Sequence, residues 1–123
     1  MARRGVVVLS ADSGAKPFVD DFLEEVAPEE GEAICVCSAY TCLATIGLPV
    51  QRRLLVIDGT PLEFGGGALI EAVQLIDPGL PILFVRYDWS GPAVDHGSVC
   101  IHPGPLVSSR CAAALVSLLR SAA

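Results

Sequence analysis

The stretch from Arg53 to Gly67, RLLVIDGTPLEFGGG, most constrains what this chain can become. Leu54, Leu55, Val56 and Ile57 run without interruption into Asp58, and Gly59, Thr60 and Pro61 follow at once. An unbroken run of branched apolar residues bounded by turn formers reads as a strand buried on both faces. Such a strand belongs to a sheet with helices packed on each side, and Gly65 to Gly67 open a helical pattern directly after it. Asp58 is the first charge on the strand, placed where the strand emerges. In open α/β sheets, ligands and chemistry gather at that carboxyl end. Asp58 is therefore the first candidate for function.

The flanking chain repeats the design. Gly5 to Leu9 predicts a first strand. Pro17 suits the first turn of a helix with Phe18, Val19, Phe22, Leu23 and Val26 on its apolar face, stopped by Pro28. Ala33 to Ser38 predicts a second strand, and Thr41 to Leu48 a short helix ended by Pro49. After the central strand, Ala68 to Ile76 predicts a helix with Leu69, Ile70, Val73 and Ile76 on one face. Asp77-Pro-Gly-Leu-Pro81 is a turn, and Ile82 to Val85 a fourth strand. Trp89 to Gly97 reads as a loop with room for one weak helical turn. Val99 to Ile101 is a fifth strand, and Val107 to Arg120 the final helix. Strands alternating with five helical segments call for right-handed crossovers and a parallel sheet. The expected fold class is α/β: a doubly wound five-stranded parallel sheet in order 2-1-3-4-5, in three α/β/α layers, with residues 1–123 as one domain.

Composition narrows the function classes. The chain carries 14 acidic and 8 basic residues, a formal charge of −6, and the basic ones are scattered, which argues against nucleic-acid binding. Much of the negative charge lies between Asp20 and Glu32, read as the solvated face of the first helix and the loop after it. No apolar run approaches the roughly 20 residues of a membrane span. The first apolar run stops at Ser10-Ala-Asp, so a buried strand is preferred to a signal peptide, no membrane contact is expected, and the expected location is cytoplasmic. Cysteines 35, 37, 42, 100 and 111 show neither a CxxC pair nor zinc-ligand spacing. Cys35 and Cys37, two apart on a strand, share one face and are ill placed to bond each other. All five are expected as buried free thiols.

Asp58-Gly-Thr-Pro61 followed by glycines, a helix running into IDPGLPILFV, and His102-Pro103 after the fifth strand resemble the receiver domain of response regulators. The likeness covers essentially the whole chain and implies a flavodoxin-like fold and a role in bacterial two-component (phosphorelay) signal transduction. It also implies that Asp58 is the phosphoacceptor, that no enzymatic activity resides in the chain itself, and that the partners are a sensor histidine kinase or a downstream effector. Several functional positions depart from the pattern. Ser10 and Ala11 stand where the family has an acidic pair, with Asp12 one residue further on; Arg86 replaces a Thr or Ser, and His102 replaces a Lys. Thr60 completes the pocket and switch positions. The resemblance is to an atypical receiver, or pseudo-receiver. No cofactor is expected; Mg²⁺, if bound, would have Asp12 and Asp58 as its carboxylates.

Adjacent strands of this fold end side by side, so Arg86 and His102 are expected to converge on Asp58. An Arg86 guanidinium against Asp58 would lower the carboxyl's pKa and replace a cation. Tyr87 and Trp89, beside the end of the fourth strand, are the expected interaction surface. The final helix has more apolar residues (Val107, Leu115, Val116, Leu118, Leu119) than one buried stripe needs, which motivates a homodimer hypothesis. An alternative is a flavodoxin-like binder of a nucleotide or flavin, using Ser10 to Gly14 and Gly65 to Gly67 as phosphate cradles, although neither matches a standard glycine motif. A Ser10–His102–Asp58 triad is geometrically conceivable but lacks a nucleophile elbow.

Overall fold

Period-two alternation divides each central strand between two cores. In the computed structural model, which describes residues 3–59 and 66–121, six strands form one sheet. They are β1 (Val6–Leu9), β2 (Ile34–Val36), β3 (Leu54–Asp58), β4 (Ile82–Arg86), β5 (Val94–His96) and β6 (Val99–Pro103). Four helices pack on them: α1 (Ala15–Val26), α2 (Ala39–Ile46), α3 (Gly66–Ile76) and α4 (Ser109–Ser121). Val6, Val8, Val56, Leu83 and Val85 point to one face, against Val19 and Leu23 of α1 and Leu115 and Leu119 of α4. Val7, Leu55, Ile57, Ile82 and Phe84 point to the other, against Cys42 and Ile46 of α2 and Leu69 and Val73 of α3. Each fully buried aliphatic side chain of this kind stabilises the fold by about 1.5–3 kcal/mol.

The strand order is β2-β1-β3-β4-β6-β5. The expected parallel order 2-1-3-4-5 is present, with β6 as its fifth strand, but the sheet has a sixth member. Val94–His96, expected as loop, pairs antiparallel with β6 at the edge. A hairpin turning at Gly97 (φ 60) stands where the loop was expected. Sequence alternation is too short over three residues to announce it.

Other boundaries shift for local reasons. The Ser38 side chain caps α2 by accepting from the Thr41 N–H, so that helix begins at Ala39. Ser108 does the same for the Cys111 N–H, so α4 begins after Val107, which stays exposed. Ile76, expected on the buried face of α3, is 46% exposed at the helix end. Cys35 and Cys37 are exposed, against the expectation of five buried thiols, because β2 is an outer strand; Cys42, Cys100 and Cys111 are buried.

The N-terminal end of the sheet is tied by ion pairs. Arg3 donates to both Asp77 carboxylate oxygens (2.8 and 2.9 Å), and this bond holds the Asp77 carboxyl below its ordinary pKa. Glu30, expected on a solvated face, has a side chain only 3% exposed; it accepts from the Gly5 N–H at 2.6 Å and pairs with Arg53 at 3.5 Å. Arg53 also donates to the Leu119 carbonyl, which fastens the last turns of α4 to the same end.

Candidate functional site

Asp58 ends β3 at the opposite, carboxyl end of the sheet. Its neighbours follow from register. Val8 lies beside Val56 and Leu9 beside Ile57, so Ser10, one residue on, comes level with Asp58 and on the same face. Ser10, nine-tenths buried, donates its hydroxyl to Asp58 Oδ2 at 2.7 Å. Its oxygen accepts from the Asp12 N–H at 3.0 Å, which orients the serine. On the other side, the Tyr87 hydroxyl donates to Asp58 Oδ1 at 2.7 Å and accepts from the Leu106 N–H at 3.4 Å. The Tyr87 pKa is raised, first by desolvation and then by this bond to Asp58. Both oxygens of one carboxylate are therefore engaged by neutral hydroxyls.

Gly104 makes room for that tyrosine. A Cβ at Gly104 would come 3.0–3.2 Å from the Tyr87 ring, tighter than ordinary contact, so a side chain there would press on the ring. The loop between β6 and α4 and the end of β4 thus position the hydroxyl jointly.

The expected Asp58–Arg86 pair does not form, and register explains why. Asp58 lies beside Val85, so Arg86, one residue further, projects from the other face. There its guanidinium sits 5.8 Å from the centre of the Phe84 ring and pairs with Asp88 at 2.7 Å. His102 does not converge on Asp58 through a hydrogen bond either. It is buried, with Nδ1 2.9 Å from the Pro103 carbonyl oxygen and 3.3 Å from Cys111 Sγ. A Ser10–His102–Asp58 relay is accordingly not assembled. Ala11 and Asp12 are exposed, and Asp12 Oδ1 accepts from the Gly14 N–H at 2.9 Å, turned toward the start of α1. The Trp89 indole N–H donates to the Pro92 carbonyl at 2.8 Å, bracing the loop after β4. Thr60 and Gly65, named as pocket and cradle positions, lie outside the described residues.

A scan against protein-family models finds no match, and neither does a search of curated proteins. Solved structures do match. The response regulator receiver protein from Sinorhizobium medicae WSM419 shares 16% identity over 98% of each chain, with a TM-score of 0.67. The apo receiver domain of nitrogen regulatory protein C shares 18% identity over 99% of this chain and 95% of its own, with a TM-score of 0.70. This chain has the fold of a receiver domain. A sensor protein from Polaromonas sp. JS666 shares the fold at 17% identity, over 98% of this chain and 95% of that one, with a TM-score of 0.70.

The receiver fold raises the question of a magnesium ion beside Asp58, and the residues present do not fit one. Mg²⁺ takes near-octahedral oxygen coordination through carboxylates and waters. Here Ser10 and Ala11 supply no carboxylate, Asp12 is turned to Gly14, and Asp58 has a hydroxyl on each oxygen. Among the described residues, no three His, Cys, Asp or Glu side chains gather at ligating distance. Two surface cavities lined by described residues lie away from this cluster: one of about 710 Å³ between Phe22 and the Ala112–Arg120 side of α4, and one of about 500 Å³ at Ile46 to Gln51 and Ile76 to Pro78. Neither includes the Ser10–Gly14 segment expected to cradle a nucleotide or flavin.

Sequence reasoning misses the bond of Tyr87 to Asp58, because it reads that tyrosine as an interaction-surface residue. The signal was present in the period of β4. If Val85 and Asp58 share a face, Arg86 leaves it and the next residue returns.

Proposed function

We propose that this chain is an atypical receiver domain, a protein-interaction module of two-component signal transduction whose Asp58 pocket is held by hydroxyl groups rather than by a cation. The observation that carries the reading is the pair of 2.7 Å bonds from Ser10 and Tyr87 to the two oxygens of Asp58. A carboxylate attacking a phosphoryl group needs its approach to an anion neutralised. Two neutral donors do not provide that, and each oxygen of Asp58 already accepts from one of them. Asp58 in this reading organises the switch region and does not accept phosphate.

Partner contact then runs through Tyr87. Its residue is 56% exposed although its hydroxyl is committed to Asp58, so a protein docking on the ring acts directly on that bond. Trp89, partly exposed and two residues away, extends the same surface. The partner classes that suit this surface are a sensor histidine kinase or a downstream effector. The test is intact-mass analysis after incubation with a small phosphoryl donor and Mg²⁺, run on wild type and Asp58→Asn. The reading predicts no added phosphoryl group in either. A gain in wild type that Asp58→Asn lacks would restore conventional phosphoacceptor chemistry and overturn it.

A further inference from the structure

β2 lies at the outer edge of the sheet, and its side chains alternate between core and solvent. Ile34 and Val36 join the core beneath α2 and α3, while Cys35 is exposed. Cys37, two residues on, is exposed as well. Extended residues two apart project from one face, with backbones roughly 6.5–7 Å apart. The remaining thiols are enclosed, and burial pushes those of Cys42 and Cys100 up to about 11. Among the described residues, the exposed thiols are thus Cys35 on β2 and Cys37 just past its end, with buried Val36 between them.

Geometry limits what such a pair does. A disulfide needs Cβ atoms about 3.5–4.5 Å apart, closer than two same-face positions on a strand allow. A structural zinc needs four ligands. The carboxylate that acts on Cys35, Asp20, already accepts from Lys16 Nζ at 2.6 Å and from the Ala33 N–H at 2.7 Å. Among the described residues no third ligand completes a cluster. Two in-line metal–thiolate bonds of about 2.3 Å, by contrast, span roughly 4.5 Å between sulfurs, a gap that rotation about the two side chains closes without moving the strand. Soft thiolates select soft d¹⁰ cations such as Cu(I).

We propose that Cys35 and Cys37 form a two-thiolate site for a soft monovalent cation, Cu(I), on the exposed edge of the sheet. Loading breaks two S–H bonds and forms two Cu–S bonds; both protons go to solvent and no electron is transferred. The bis-thiolate complex carries one negative charge. Burial raises the Cys35 thiol's pKa, and the Lys16 ammonium, itself paired with Asp20, opposes that rise.

The experiment is an anaerobic titration with Cu(I), delivered as its acetonitrile complex against a bathocuproine competitor, on wild type, Cys35→Ser and Cys37→Ser. Wild type is expected to withdraw one ion per chain and release two protons, and each serine variant to lose that uptake. Both substitutions are at exposed positions, and circular dichroism checks the fold. Alkylation of the native wild-type chain provides a reading independent of any variant. Iodoacetamide should add two groups to the free protein and none to the loaded one. Uptake unchanged in either variant, absence of proton release, or alkylation undiminished by Cu(I) would each overturn the proposal.

Discussion

At the N-terminal end of the sheet, Asp77 meets Arg3 and Glu30 meets Arg53; at the carboxyl end, Asp58 meets the hydroxyls of Ser10 and Tyr87. The same chemical group is held in two ways. A guanidinium cancels the charge at the first end; at the second, the hydroxyls also bond an ionised carboxylate, a class worth about 1.5–3 kcal/mol, but the Tyr87 bond is exposed and discounted by solvent. The first end behaves as a fastening that joins the β1 end, the segment after α1 and the last turns of α4. The second leaves the charge of Asp58 uncancelled, between a buried hydroxyl of Ser10 and an exposed bond from Tyr87. What the contrast teaches is that Asp58 keeps an uncancelled charge behind hydroxyl donors, whereas Glu30 and Asp77 are neutralised in place.

The largest effect should come from breaking the fastening. Glu30→Ala leaves the Gly5 N–H and part of Arg53 without a partner in a site where the Glu30 side chain was 3% exposed. The expected loss is about 3 kcal/mol, seen as a lower urea midpoint with an unchanged slope. A loss near zero would show that the two ends do not differ as described.

Asp77→Asn should cost less, about 1.5 kcal/mol at neutral pH. Because Arg3 holds the Asp77 carboxyl below its ordinary value of 3.8, the contribution is complete above that value. It fades as pH falls through the lowered one, when the folded state must also take up the proton. Wild type and variant should therefore converge in stability in strong acid. A difference that persists there would mean that packing, not charge, accounts for the substitution.

The smallest change in stability belongs to the carboxyl end. Tyr87→Phe should alter it by less than about 1 kcal/mol, since its bond to Asp58 is exposed, and Asp58→Asn by somewhat more, since Ser10 on its other oxygen is nine-tenths buried. Spectroscopy should respond more clearly. Of the two tyrosines, Tyr87 should ionise above its ordinary value of 10.0 in an ultraviolet titration, and Asp58→Asn should bring it back part of the way. Stability linked to this hydroxyl is present below pH 10 and is lost as pH rises through the raised value. Gly104→Ala should mimic Asp58→Asn in the titration, because the added methyl presses on the Tyr87 ring.

The fold was legible in the sequence wherever a strand is buried on both faces. LLVI and ILFV have no polar face to confuse the reading, and Asp58 stands out because it ends such a run. β5 was not legible: Val94, Asp95 and His96 form an edge strand of three partly or fully exposed residues, which the pattern of a loop fits equally well. The site was half legible. The resemblance names Ser10 and Asp58 as positions of one pocket, and the strand register brings them together, but Arg86 is expected at Asp58 from proximity of strand ends without regard to the face it leaves by. The exposure of Cys35 and Cys37 followed from the strand order already expected, since that order puts β2 at an edge. Burial had been judged from residue type instead.

The central claim is that Asp58 is engaged by two neutral hydroxyls in a site unsuited to a divalent cation. It is tested most directly by following the backbone amides of Ser10, Asp12, Asp58 and Tyr87 by NMR during a Mg²⁺ titration, in wild type and Tyr87→Phe. The prediction is the absence of saturable shifts at these amides in wild type through the millimolar range. Saturable shifts centred on Asp58 in the wild-type chain would contradict it.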